Sequence, residues 1–368
     1  MKISVVQRQR ISTTVSALTV LGSLLCGFIV VGIIFAANGV NPFFAIWRIF
    51  DGSFGSLYSF KETVTKAIPL ITIGTGLIIA FRGKFWNIGA EGQLLIGATL
   101  ATWVALNIGP RVTPIIAIPL MFIVGFIGGG LTAAIPAILK VRFRINEVIS
   151  TLMFNYIAAE IVQYLVVGPW KGKTQYGFPY TDRFPESSQL GLLPGSRIHY
   201  VTLILAILAA IILFIIIYRT KFGYEVRVIG ENPNAGRYAG INFFRTTVVM
   251  MIISGGLAGI AGVGEVAGLH HKLSYPFTIS AGYGYTGIIV AWLARLNPIL
   301  AIFSGLFFAG IKVGGDAIQT SFGLPAATVD VFNGVILFFL IMGEYFINNK
   351  LVIKFVNSKT ESLKTENI

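Results

Sequence analysis

Residues 82–95 read RGKFWNIGAEGQLL, and there Arg82, Lys84, Asn87, Glu91 and Gln93 interrupt a sequence that is apolar from Pro69 to Phe81 and again to Leu106. A carboxylate and two amides in such surroundings do hydrogen-bonding and charge-pairing chemistry, because buried polar groups need partners. A charge at bilayer centre costs ~2.5–3.5 kcal/mol on insertion scales. Glu91 is therefore expected to face a partner, water or a subunit interface, unless it merely snorkels from a helix start to the surface. Gly89 and Gly92 permit close helix approach or a broken helix. A second set, Thr151, Asn155 and Gln163, falls within a helical sector of about 120° at ~100° per residue, with Glu160 outside it. That face is expected to be interior, toward a solute or toward neighbouring helices.

A third stretch, RTKFGYEVRVIGENPNAGRYAGINFFRT, spans Arg219 to Arg245. Asn232 suits a helix N-cap, Pro233 the first helical position, and Gly240 a left-handed stop. These signals predict a short helix over Pro233–Ala239. Isolated helices shorter than ~12–15 residues are marginal in water, so this one needs something to dock on. It is either a connector folded onto its own chain or a docking element for a cytoplasmic partner.

The elements that position these residues follow from composition. Of 368 residues 55% are hydrophobic and 12% charged, against roughly 25% charged in an average soluble domain. Apolar stretches long enough to cross a ~30 Å hydrocarbon core recur throughout. The expected fold is an all-α polytopic membrane protein with ten spans, near 15–37, 63–81, 87–106, 112–138, 148–167, 199–218, 246–267, 282–294, 298–314 and 330–347. These form one membrane domain over 1–350, followed by a polar cytoplasmic tail at 351–368. With the N-terminus inside, 18 of the 28 Lys and Arg lie on the inner side, in the sense of the positive-inside rule. Both termini are then cytoplasmic, and the net charge of +13 is a topology signal rather than a nucleic-acid footprint. Residues 168–198 form an outer loop rich in Gly, Pro and Ser. Its GPWKGKT stretch misses the phosphate-loop spacing by one residue, since Val167 stands where the glycine is required. His270 and His271 lack ligand-spaced companions, so no metal site is expected. Cys26 is the single cysteine, so no disulfide framework exists.

FGYEVRVIGENPNAGRYAGI resembles the cytoplasmic loop of permease subunits of prokaryotic ABC importers in the branched-chain amino acid, monosaccharide and nucleoside group. RGKFWNIGAEGQLLIGA and INEVISTLMFNYIA resemble its nucleoside or simple-sugar branch. The similarity runs in order from about Ile68 to Phe346. It implies a membrane subunit working with a second permease, as homo- or heterodimer, with two ATP-binding cassettes and with an extracytoplasmic substrate-binding lipoprotein. The chain itself is then no enzyme and holds no cofactor, ATP being bound by the cassettes. The resemblance assigns coupling to the ATPase to Glu231, Asn232, Pro233, Asn234, Ala235, Gly236, Arg237 and Gly240. In such a permease, Asn87, Glu91, Gln93, Thr151, Asn155 and Gln163 are candidates for the translocation pathway. Tyr156, Tyr285 and Trp292 offer passing aromatic surface. The fold family also implies an internal duplication, although NIGAEGQLLIGATLATWVA and TISAGYGYTGIIVAWLARL share only scattered matches. An ion-coupled secondary transporter and a membrane-embedded enzyme are the competing readings.

Overall fold

The computed structural model describes residues 2–7 and 13–354. A short strand β1 (Lys2–Gln7) precedes helices α1 (Thr13–Ala37), α2 (Pro42–Phe54), α3 (Leu57–Arg82) and α4 (Ala90–Asn107). Then come α5 (Pro114–Phe143), α6 (Glu147–Val167), α7 (Tyr200–Arg219), α8 (Lys221–Glu231), α9 (Pro233–Tyr238) and α10 (Phe243–Gly264). A π-helical turn, Glu265–His270, extends α10. α11 (Pro276–Ser280), α12 (Tyr283–Leu293), α13 (Pro298–Phe322), α14 (Ala326–Asn348) and β2 (Asn349–Lys354) complete the chain.

The starts are set locally by caps. Ser56, Asn146, Thr220, Asn232 and Asn242 each offer a side-chain oxygen to an otherwise unpaired N–H of the first turn, as helix ends require. Proline opens α5, α9 and α11, where its missing N–H costs nothing.

Among the described residues, seven helices are long and apolar enough to cross a membrane, and the pair Leu21–Ala37 and Pro42–Phe54, bent by 115°, is either one broken span or a re-entrant loop, so the expected count of ten is not reproduced there. The expected span at 282–294 is the eleven-residue α12. At 1.5 Å per residue it covers only about 16 Å, half of a hydrocarbon core. The chain nevertheless runs from one face to the other between Leu273 and Leu296. The Leu273 carbonyl accepts from Thr181 in the 168–198 loop (3.0 Å), and the Leu296 carbonyl accepts from Arg82 in the basic turn (3.1 Å). The crossing is broken at Ala281–Gly282, both left-handed, between α11 and α12. Three helices were not anticipated, the five-residue α11 among them, and the other two carry a readable start signal. α2 begins at Asn41-Pro42, with Asn41 Oδ1 accepting from Phe43 N at 3.0 Å, and α8 begins at Thr220, whose hydroxyl accepts from Gly223 N at 3.1 Å.

The chain divides into two compact units, residues 1–48 with 318–368, and residues 49–317. In the first, α1 lies along α14, with the rings of Phe35 and Phe332 6.2 Å apart. There β1 pairs antiparallel with β2, Lys2 opposite Lys354 and Gln7 opposite Asn349. Residues 351–354, expected to begin a polar tail, thus belong to a strand; residues 355–368 lie outside the described ones. The second unit is built on α3, α4, α5 and α10. α10 touches α4 and α5 backbone to backbone: a Cβ on Gly259 would overlap the carbonyl of Gly125, and one on Gly97 the backbone of Gly259. Small residues at such crossings are how helices associate where lipid removes the hydrophobic drive.

Gly259→Leu should therefore force α10 away from α5 and lower the melting midpoint of the solubilised protein by about 5 °C or more, at ~1–3 kcal/mol for overpacking. Gly334→Ala, where an added Cβ meets nothing, should leave it unchanged. Thermal unfolding followed by intrinsic fluorescence compares the two.

Candidate functional site

The turn between α3 and α4 folds back tightly, with Gly83 capping α3 and Lys84 left-handed. Arg82 fixes it from one side, donating from Nη2 to the Tyr218 hydroxyl at 2.7 Å and from Nε to Leu296 O. Just beyond, the amides of Asn87 and Gln93 bond reciprocally. Asn87 Nδ2 donates to Gln93 Oε1 (3.1 Å) and to Ser254 Oγ (3.0 Å), while Asn87 Oδ1 accepts from Gln93 Nε2 (2.9 Å) and Gly89 N (3.1 Å). Both side chains are buried, and the bonds tie the 87–89 turn to itself, to α4 and to α10.

α6 supplies the next layer. Asn155 Oδ1 accepts from Gly92 N at 2.8 Å, capping the first turn of α4, and its Nδ2 donates to Ile88 O at 2.9 Å and Tyr285 Oη at 3.3 Å. The Thr151 hydroxyl accepts from Ile88 N at 3.2 Å. Five of the six expected polar residues thus meet at the N-terminal end of α4. Gln163 does not join them. It lies eight residues further along α6, ~12 Å away, half-buried and with no hydrogen bond among the described residues.

Glu91 is 3% exposed. Its Oε2 accepts from Gly284 N at 2.7 Å, so the carboxylate sits on the N-terminal N–H groups of α12, where a helix dipole favours an anion. Its Oε1 and the Ser280 hydroxyl lie close to each other without hydrogen-bond geometry. Gly284 is required there: a Cβ would overlap the backbone of Glu91 itself. The opposite end of the break is held by α13, where Lys312 Nζ donates to Ala281 O at 3.0 Å and stands 5.3 Å over the Tyr283 ring. An anion therefore meets the N–H end of α12, and a cation meets the carbonyl end of α11. Sequence reading did not find the break, whose signal was the S-A-G-Y-G stretch at 280–284.

Three rings gather on the same side of the basic turn. Phe81, Trp86 and Trp292 have centroids 5.7 Å apart in each pairing, around a cleft of about 200 Å³ that Lys84 and Phe85 also line. Tyr285, two turns before Trp292 on α12, is exposed.

α9 and α8 form one module against this turn. Asn232 Oδ1 accepts from Asn234 N and Ala235 N, both at 3.1 Å, and Gly240 has φ +75°, so the capped helix stands as read from sequence, one residue shorter. Gly236 is buried, facing Ile229 and Val228 of α8. Gly236 therefore faces its own chain, where a Cβ would make only ordinary contact. Glu231, Asn232, Pro233, Asn234, Ala235, Arg237 and Gly240 are exposed, and Tyr238, which sequence reading passed over, is 95% exposed. α8 in turn rests on the basic turn: a Cβ on Gly230 would overlap the carbonyl of Arg82.

At the other face the 168–198 loop is strapped to the π-helical segment. Leu190 N donates to Ala267 O (2.9 Å) and Phe184 N to His271 O (2.8 Å). Asp182 accepts from Thr174 Oγ1 at 2.6 Å and Thr174 N at 3.1 Å, which holds its carboxyl below the usual carboxylate range. His199, at the start of α7, is fully buried against Gly264 and Gly268, and neither ring nitrogen meets a partner among the described residues. Burial, with a smaller effect of His271, pushes its pKa down to about 4.

A sequence profile described as branched-chain amino acid transport system / permease component matches residues 59–341. The chain belongs to this permease family. It is 34% identical over 350 residues to the glucose ABC transporter permease protein TsgB13 of Haloferax volcanii, covering 92% of this chain and 89% of that protein. It is 32% identical over 325 residues to the guanosine ABC transporter permease protein NupP of Bacillus subtilis, covering 86% and 91%. It is 30% identical over 352 residues to the nucleoside ABC transporter permease protein NupB of Lactococcus lactis, covering 93% of each. The permease is a multi-pass membrane protein, and the matched relatives are transport subunits.

Two outcomes follow from the site. Glu91→Gln keeps an oxygen for Gly284 N–H and removes the charge, and Lys312→Met removes the opposite charge. Each should insert normally while substrate uptake falls about tenfold, as expected for a charge-assisted bond worth ~1.5–3 kcal/mol. Uptake in cells with matched membrane levels decides it, and wild-type uptake by Glu91→Gln would mean the charge is not used. The second concerns pH. A histidine held neutral by burial contributes stability above its unfolded pKa of about 6.5 and loses it as pH falls toward 4. His199→Met should therefore unfold at a higher temperature than wild type at pH 5, with the difference shrinking by pH 7.5.

Proposed function

We propose that this permease subunit carries nucleosides across the cytoplasmic membrane as part of an ABC importer, driven by ATP hydrolysed on partner cassettes. The observation that carries the reading is the family match over 59–341 on a chain whose α8–α9 module presents an exposed, capped helix at the basic face. Relatives named for guanosine and nucleosides match over 86% and 93% of this chain. The exposed Tyr285 and the ring cluster of Phe81, Trp86 and Trp292 suit transient stacking of a flat base, which every base tolerates. A second reading, simple-sugar transport, is favoured by the 34% identity to the glucose permease protein.

In this reading the basic face is cytoplasmic. Pro233, Asn234, Ala235, Arg237 and Tyr238 seat in the cassette, and both termini lie inside. A second permease subunit and an external binding lipoprotein complete the assembly, the lipoprotein facing the 168–198 loop. ATP binds to the cassettes and not to this chain. Displacement of α9 passes through α8 to the Arg82–Trp86 turn, and from there to the polar junction and to the clamp on α12. Helix dipoles and amides around a broken crossing are the means by which transporters hold a solute near mid-membrane. The polar junction itself is largely consumed by helix-to-helix bonds, so solute contact falls to the break and the aromatic side of α12.

In a Cys26→Ala background, Tyr176→Cys, at a position 98% exposed, should react with an impermeant thiol reagent in intact cells, and Asn234→Cys only after permeabilisation. The reverse pattern would invert the orientation. Uptake of labelled guanosine competed by excess guanosine and not by glucose supports the nucleoside reading; competition by glucose alone would replace it with the sugar reading.

A further inference from the structure

Beside α9, a cleft of about 580 Å³ opens between that helix and the turn joining α5 to α6. Lys140, Arg144, Asn146, Glu147, Arg237 and Phe243 line it. Lys140 is committed, paired with the Glu147 carboxylate and standing 4.6 Å over the Phe85 ring. The guanidinium groups of Arg144 and Arg237 are both exposed and meet no hydrogen-bond or ion-pair partner among the described residues. Arg144 is the left-handed C-cap of α5, with φ 57°, so its position is fixed by the turn and not by its side chain. Arg237 lies in the last turn of α9. Two planar donor forks on separate elements thus face one open space that holds three basic groups against one acid.

We propose that this cleft receives a carboxylate-bearing side chain of the ATP-hydrolysing partner, bridged by Arg144 and Arg237. The proposal rests on the coupling reading of α9 and adds a second anchor to it. A carboxylate matches the guanidinium fork in charge and in bidentate geometry. α9, with the sequence PNAGRY, carries beyond its opening proline no aliphatic side chain larger than alanine to bury in lipid, so the cleft opens to water and not to the hydrocarbon. A carboxylate held there would also pull on the start of α6. Five and nine residues past its Asn146 cap, Thr151 and Asn155 hold Ile88 and Gly92 of the polar junction. The cleft accordingly gives the partner a route to α4 that does not pass through α8.

The test uses the tagged full chain in lipid nanodiscs and the ATP-hydrolysing subunit captured with the wild type. Arg144→Glu and Arg237→Glu should each weaken association about tenfold or more, as for a charge pair broken within an interface. Arg144→Lys, which keeps charge without the fork, should weaken it less. Wild-type association should fall as NaCl rises from about 50 to 500 mM. Arg144→Gln serves if the glutamate variant fails to insert, monodispersity and melting midpoint being the folding controls. Unchanged association in Arg144→Glu and Arg144→Gln, with loss in Tyr238→Ala, overturns the cleft and leaves α9 as the docking element. No loss in Tyr238→Ala, Arg237→Glu or Arg144→Glu sinks the coupling reading as well. An effect confined to anionic-lipid nanodiscs and absent in neutral ones would make this a lipid-headgroup site and overturn the proposal.

Discussion

A helix of eleven residues cannot satisfy a membrane crossing, and its broken end exposes N–H and C=O groups that lipid will not hydrate. The residue 49–317 unit depends on how that break is resolved. Glu91 of α4 takes the N–H end of α12 and Lys312 of α13 takes the carbonyl of Ala281. The buried Glu91 is acceptable in the apolar interior because it meets a dipole end of opposite sign, and the half-buried Lys312 meets the carbonyl end of α11. The break is for this reason a point at which α4, α12 and α13 are coupled, with Tyr285 exposed just beyond it.

The same α4 terminus collects the remaining polar chemistry. Asn87, Gln93, Thr151, Asn155 and Ser254 spend their hydrogen bonds on the backbone and side chains around Ile88–Gly92. A fully satisfied network of this kind is stiff, and it moves as a block or not at all. Below it the turn at Arg82 is wedged by α8, which carries α9 at its end. A displacement at α9 meets no soft element before the junction: Gly236 is packed on Ile229, and Gly230 is packed on the Arg82 carbonyl. At Gly230 that continuity is a property of close backbone approach, which only glycine permits there.

The stretch beginning at Asn87 and the stretch beginning at Thr278, compared in sequence for an internal duplication, touch each other through Glu91 and Gly284. Both enter a helix after an irregular turn, and both present that helix start to the interior. Their scattered identities gave no hint of contact. A spacing pattern reports which residues share a face of one helix, whereas contact between two helix starts depends on how intervening helices pack.

Legibility in the sequence followed the range of the force involved. Apolar length placed most of the spans within a few residues, because the cost of leaving backbone or charge in hydrocarbon is set by each segment alone. The cap at Asn232 and the stop at Gly240 were readable because capping joins residues two or three apart. The start signals of α2 and α8 were equally local and were simply not used. The residues that came together at α4 could be nominated from their polarity. Their roles could not, since the bond from Gly284 to Glu91 closes 193 residues of sequence and that of Asn155 to Gly92 closes 63. The same limit hid the inward turn of Gly236 and the exposure of Tyr238, neighbours on one helix whose fates were decided by which side α8 covered. Sequence determined that the chain crosses a membrane repeatedly and that charges would need partners inside it. Tertiary packing alone decided which partners, because a dipole end or a guanidinium fork acts only over a few ångströms.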